Sequence, residues 1–135
     1  MIKAIYGGKG TGKTKKMIEH ANSLADSNYG CIAFIDYGKE LIYNLKHGIR
    51  LIDITDFPID CEDGFLGFIC GMVAQNYDLK WIFIDRITDI INENVENLES
   101  FFSRLKSISG KYNIDFNISV PVSQENMPEF LFEFI

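Results

Sequence analysis

The chain has 135 residues, 47% hydrophobic and 24% charged, and a formal net charge of −6. This length makes one domain, residues 1–135, able to bury about two-thirds of the unfolded chain's surface. The acid surplus argues against a stand-alone nucleic-acid binder, which needs a basic face, and no apolar run approaches the ~20 residues of a membrane span.

Residues 2–6 (Ile-Lys-Ala-Ile-Tyr) read as a short strand. They lead into Gly7–Thr14, GGKGTGKT, which fits the pattern Gly, four free positions, Gly, Lys, Ser/Thr. Gly7, Gly12, Lys13 and Thr14 hold the fixed places, and Gly8, Lys9, Gly10 and Thr11 fill the free ones. A loop wrapped around a triphosphate must aim several backbone N–H groups inward, and glycines permit the backbone angles and close approach this requires. Lys13 is expected to reach the β- and γ-phosphates and the Thr14 hydroxyl to hold Mg²⁺. The helix that follows, from Lys15 to Asp26, adds unpaired N–H groups and the positive end of its dipole. Met17, Ile18, Ala21, Leu24 and Ala25 share one side of it. The basic patch Lys9, Lys13, Lys15 and Lys16 is thereby explained by phosphate.

Asn28-Tyr29-Gly30 reads as a turn and Cys31–Ile35 as a strand buried on both faces, as a parallel strand under helices would be. Asp36 ends it, at the sheet edge where α/β proteins bind ligands. Two roles stand equal: contact with Mg²⁺, a substrate or a partner group, or capping of a helical segment Lys39–Lys46 that carries Leu41, Ile42 and Leu45. Arg50–Ile54 is a third strand, and Phe57-Pro58 forces extended backbone. Asp60 then caps a helix over Cys61–Asn76, with Asp63 three residues on. Phe65, Phe68, Ile69, Met72 and Val73 form its apolar face, and Gly64, Gly67 and Gly71 predict close packing against neighbours. Cys31, Cys61 and Cys70 lack metal-ligand spacing and read as small buried hydrophobes in a reducing compartment. With no leader-like pattern at the N-terminus, the cytoplasm is expected.

Lys80–Asp85 is an apolar strand ending in an acid, and Asp85 is expected beside the loop on the Mg²⁺ side. Where many phosphate-loop ATPases carry a water-polarising Glu, this chain has Arg86. Asp89 is the candidate stand-in, with Glu93 behind it; both also fit as solvated acids at a helix start. An amphipathic helix runs from Asn92 or Asn94 to Ser109, with Val95, Leu98, Phe101, Phe102, Leu105 and Ile108 inward and Gly110 placed to end it. Ile114–Val120 gives the last strand, with Ser119 near its end and Ser123 and Gln124 after Pro121. These polar groups either sense a γ-phosphate or serve as caps. Pro128–Ile135 reads as a terminal helical turn whose Phe130, Leu131 and Phe134 cover the sheet.

The alternation of strands and helices through short connections predicts an α/β fold: a three-layer αβα arrangement with a mainly parallel sheet of about five strands. With GGKGTGKT, FIDYG, Arg50 and WIFIDRITDI in view, the chain resembles a family of small bacterial P-loop ATP-binding proteins, some labelled as twitching-motility ATPases. The resemblance implies a P-loop NTPase-like fold, nucleotide binding by Gly7–Thr14 and Asp85 near Mg²⁺. The expected cofactors are ATP and Mg²⁺, and the leading function is slow ATP hydrolysis. The alternatives are a nucleotide-dependent switch acting on a protein partner or a second copy of the chain, and a small-metabolite or nucleoside kinase.

Overall fold

The computed structural model describes residues 1–27 and 30–135. Five strands form one sheet: β1 (Ile2–Tyr6), β2 (Cys31–Asp36), β3 (Ile49–Asp53), β4 (Leu79–Ile84) and β5 (Asp115–Val120). Their order is β1-β5-β4-β2-β3 and every pairing is parallel. The carboxyl ends of all five strands therefore lie along one edge.

Helix α1 (Lys13–Ser27) follows β1 and lies on one face of the sheet. It buries Met17 and Ala21 against Ile32, Phe34 and Phe83. The opposite face is covered by α2 (Glu62–Gln75), α3 (Ile87–Ile91) and α4 (Glu99–Tyr112). These helices bring Phe65, Ile69, Ile90, Phe101, Phe102 and Leu105 onto Ile35, Ile84, Phe116 and Ile118. The terminal 3₁₀ segment Glu129–Phe134 closes this side, with the Phe102 and Phe134 ring centres 5.0 Å apart. Three layers, αβα, result.

Several local expectations need correction. Residues 39–46 form turns and no helix. Ile42 is exposed and Leu45 is the one buried apolar residue there, so so short a segment has no face to dock and cannot repay helix nucleation. The cap of α2 is Cys61, whose Sγ accepts the Gly64 N–H at 3.4 Å; Asp60 lies one residue too early. Gly64, Gly67 and Gly71 face solvent, and a Cβ on Gly67 or Gly71 would meet no atom within 4 Å, which removes the close-packing explanation. All three cysteines are exposed: Cys31 opens β2, Cys61 caps α2 and Cys70 is on the outer side of α2.

The long helix expected from Asn92 or Asn94 is divided. Asn92 has φ 55° and ends α3, Val95–Asn97 is a separate 3₁₀ turn, and α4 begins at Glu99. Gly110 lies inside α4, and Asn113, with φ 57°, is the left-handed residue that closes it. The predicted turn at Asn28 and Tyr29 lies outside the described residues.

Candidate functional site

The sheet register builds the site. Ile35 pairs with Ile84 and Ile84 with Ile118, and these three side chains enter the larger core. Side chains alternate along a strand. The next residue on each strand, Asp36, Asp85 and Ser119, therefore points to the α1 side, in one row at the carboxyl edge. All three are buried.

Above this row lies the loop Gly7–Thr14. Its start is fixed by the Gly7 N–H donating to Val122 O at 2.9 Å. The turn is drawn in by Thr11, whose N–H and Oγ1 donate to Gly8 O at 3.3 and 2.7 Å. Gly10 and Gly12 have φ of 81° and 84°, the left-handed region that a side chain disfavours. A Cβ on Gly7 would run into Thr11 Oγ1. Lys13 Nζ reaches back across the loop to Gly8 O at 2.9 Å. The first helical bond in this stretch is from Lys16 N–H to Gly12 O. The N–H groups of Gly10, Gly12, Lys13, Thr14 and Lys15 thus have no protein acceptor among the described residues. Lys9 is exposed at the tip of the loop and Lys15 on the first turn of α1.

Thr14 Oγ1 donates to Asp85 Oδ2 at 2.8 Å, joining the loop to the end of β4. Asp85 Oδ1 accepts from the Ser119 hydroxyl and from the Arg86 N–H, the latter at 3.1 Å. Ser119 thus anchors the acid from the neighbouring strand. The signal for this was present in β5, where Asp115, Asn117 and Ser119 alternate with Phe116, Ile118 and Val120.

Asp36 is 1% exposed. Its Oδ1 accepts the Tyr37 N–H at 2.7 Å and lies 3.5 Å from Arg86 Nε. Its Oδ2 is buried with no partner among the described residues. Burial, reinforced by the charge of Asp85, raises the Asp36 pKa to about 6, although the Tyr37 N–H and Arg86 oppose the rise. Capping of a helix is not its role, since 39–46 forms none. Arg86 stands in left-handed backbone (φ 61°, ψ 46°), and its guanidinium also reaches Glu40 Oε2 at 3.2 Å. This Arg86–Asp36–Glu40 contact was not anticipated from the sequence.

Asp89 is exposed in the first turn of α3, and Glu93 is exposed beyond it. Neither has a side-chain bond to the loop, Asp85 or Arg86 among the described residues. The structure brings Thr14 and Asp85 together and leaves Asp89 apart from them.

No family model and no curated protein matches the chain. Solved structures do. The flagellar accessory protein FlaH from Methanocaldococcus jannaschii superposes with a TM-score of 0.60 at 18% identity, over 98% of this chain and 65% of that one. A KaiC-like protein from Pyrococcus horikoshii gives a TM-score of 0.67 at 16% identity, over 98% of this chain and 68% of that one. The chain spans about two-thirds of the length of these structures. Both neighbours are archaeal, and nothing in them supports the bacterial association or the twitching-motility label. What the likeness establishes is the architecture: a P-loop NTPase-like α/β fold with a parallel five-stranded sheet, shared with FlaH and the KaiC-like protein.

Proposed function

We propose that the chain is a Mg²⁺-dependent ATP-binding protein that hydrolyses ATP slowly. The observation that carries this reading is the 2.8 Å bond from Thr14 to Asp85, placed directly behind a loop with unengaged amides. Those amides, the α1 dipole and Lys13 form a cationic cup suited to phosphate. Lys13 Nζ is bonded to Gly8 O, and rotation of its side chain would turn it to a phosphate bound in the loop. Thr14 and Asp85 offer hard oxygens, and Mg²⁺ takes one or two such groups beside phosphate and water. When bound, the ion would withdraw charge from the phosphate oxygens. The sequence has no Asn-Lys-x-Asp string of the kind that reads guanine, which leaves adenine as the expected base.

For hydrolysis the chain must orient a water and accept its proton. Asp36 suits this task better than Asp89 or Glu93. It lies in the same row as Asp85, has a buried oxygen without a partner among the described residues, and with a pKa of about 6 is ionised yet basic near neutral pH. The expected rate is low, because Arg86 stands where a water-polarising Glu would follow Asp85, and it partly neutralises Asp36. An arginine from a partner or a second copy would accelerate it.

The Arg86 contact also favours a second reading, a switch. A γ-phosphate competing for Arg86 would release Asp36 and Glu40 and loosen the turns at 37–46. Phosphate release measured over hours separates the two: none, with ATP affinity retained, identifies the switch.

A further inference from the structure

On the α1 side of the sheet, a cleft of about 430 Å³ lies between the first turns of α1 and the strands β1 and β5. It is lined by Lys3, Ile5 and Tyr6 from β1, Lys16 and His20 from α1, Asn117 from β5, and Ile135. This cleft is separate from the carboxyl-edge row, since Asn117 lies two residues below Ser119 and pairs with Lys3.

Asn117 is the unusual member. A central strand of a sheet covered on both faces normally carries apolar residues in both directions. Here Asn117 is 2% exposed, beside Phe83 in the register, and its Oδ1 has no partner among the described residues. A buried amide without a partner costs stability, and such a group calls for an explanation. Around it stand two ammonium groups, Lys3 and Lys16, with no acidic partner among the described residues. The His20 ring is held edge-on to Trp81 and Phe83 at 5.4 and 5.5 Å between centres.

We infer that this cleft binds a mononucleotide, with its phosphate on Lys3 and Lys16 and its base edge on the Asn117 amide. The chemistry of the lining selects this class. A side-chain amide offers a donor and an acceptor side by side, which matches the N6/N7 edge of adenine. Ile5 and Ile135 supply apolar contact for a flat ring, and the lysines supply charge for an anion. Lys16 adjoins the phosphate loop, whereas Lys3 and Asn117 lie on the strands, away from Gly7–Thr14, and distinguish the two sites.

The test uses the full chain and AMP as the probe, by calorimetry and by NMR of the His20 imidazole. His20 is one of two histidines, so His47→Gln assigns its signal. AMP should bind wild type and Lys13→Ala within twofold of each other and shift the His20 signal. Lys3→Ala and Asn117→Ala should each weaken binding at least fivefold. Lys3 is exposed, so its variant keeps the test valid should Asn117→Ala fold poorly. Ribose 5-phosphate should bind at least tenfold more weakly than AMP. AMP affinity lost with Lys13→Ala would assign binding to the phosphate loop and overturn the inference. Equal binding of ribose 5-phosphate, or no AMP binding at millimolar concentration, would overturn it too.

Discussion

At the scale of single residues, three carboxyl-edge groups divide the work. Asp85 is held from two sides, by Thr14 and by Ser119, so its position does not depend on a ligand. Removing the Ser119 hydroxyl leaves a buried carboxylate oxygen short of a donor. Ser119→Ala should lower stability by about 1–2 kcal/mol, measured by urea unfolding, and should weaken Mg²⁺-ATP binding. Asp36 gives a pH signature. Its ordinary pKa is 3.8 and its folded value about 6, so between these the folded state holds a proton that the unfolded chain has released. Stability from this group therefore falls as pH rises from about 4 to 6 and then levels off. Asp36→Asn removes the effect. Without nucleotide or Mg²⁺, its stability relative to wild type should improve by roughly 2–3 kcal/mol between pH 4 and pH 7. A flat difference across that range would show that Asp36 is not desolvated as described.

At the scale of elements, β2 and β4 were legible because each is a short apolar run that gives way to an acid, and the register aligns those ends with Ser119 of β5. Ile35-Asp36, Ile84-Asp85 and Ile118-Ser119 are visible in the sequence, but only parallel pairing makes them one row. GGKGTGKT was legible because its geometry demands particular residues at particular places. The contacts of Arg86 were not, since the turns that bring Glu40 within reach leave no periodic trace. The solvent position of Gly67 and Gly71 was missed because a small residue fits both a tight contact and an open face. It yields a direct check: Gly67→Ala and Gly71→Ala should each stabilise the protein by about 0.5–1 kcal/mol, seen as a higher urea midpoint, because nothing obstructs the added methyl and Ala favours helix. Loss of stability would revive the close-packing explanation.

At the scale of the whole molecule, the two sheet faces differ. One is covered by three helices and the terminal segment, where Leu131 is fully buried. That segment is part of the core: Leu131→Ala should cost about 2–5 kcal/mol and lower the midpoint of thermal unfolding. The other face carries α1 and, at its upper edge, the phosphate loop and the acids. Ligand chemistry is thus gathered on one side of the sheet, and a core variant on the other side, such as Leu131→Ala, should leave nucleotide affinity unchanged while the protein stays folded. The proposed function rests on Gly7–Thr14 gripping a triphosphate. Calorimetry of Mg²⁺-ATP with wild type and Lys13→Ala tests it most directly. The predicted result is binding by wild type and a loss of ~2 kcal/mol or more, about thirtyfold, in the variant, with its thermal unfolding unchanged. Equal affinities, or no binding by wild type, would contradict it.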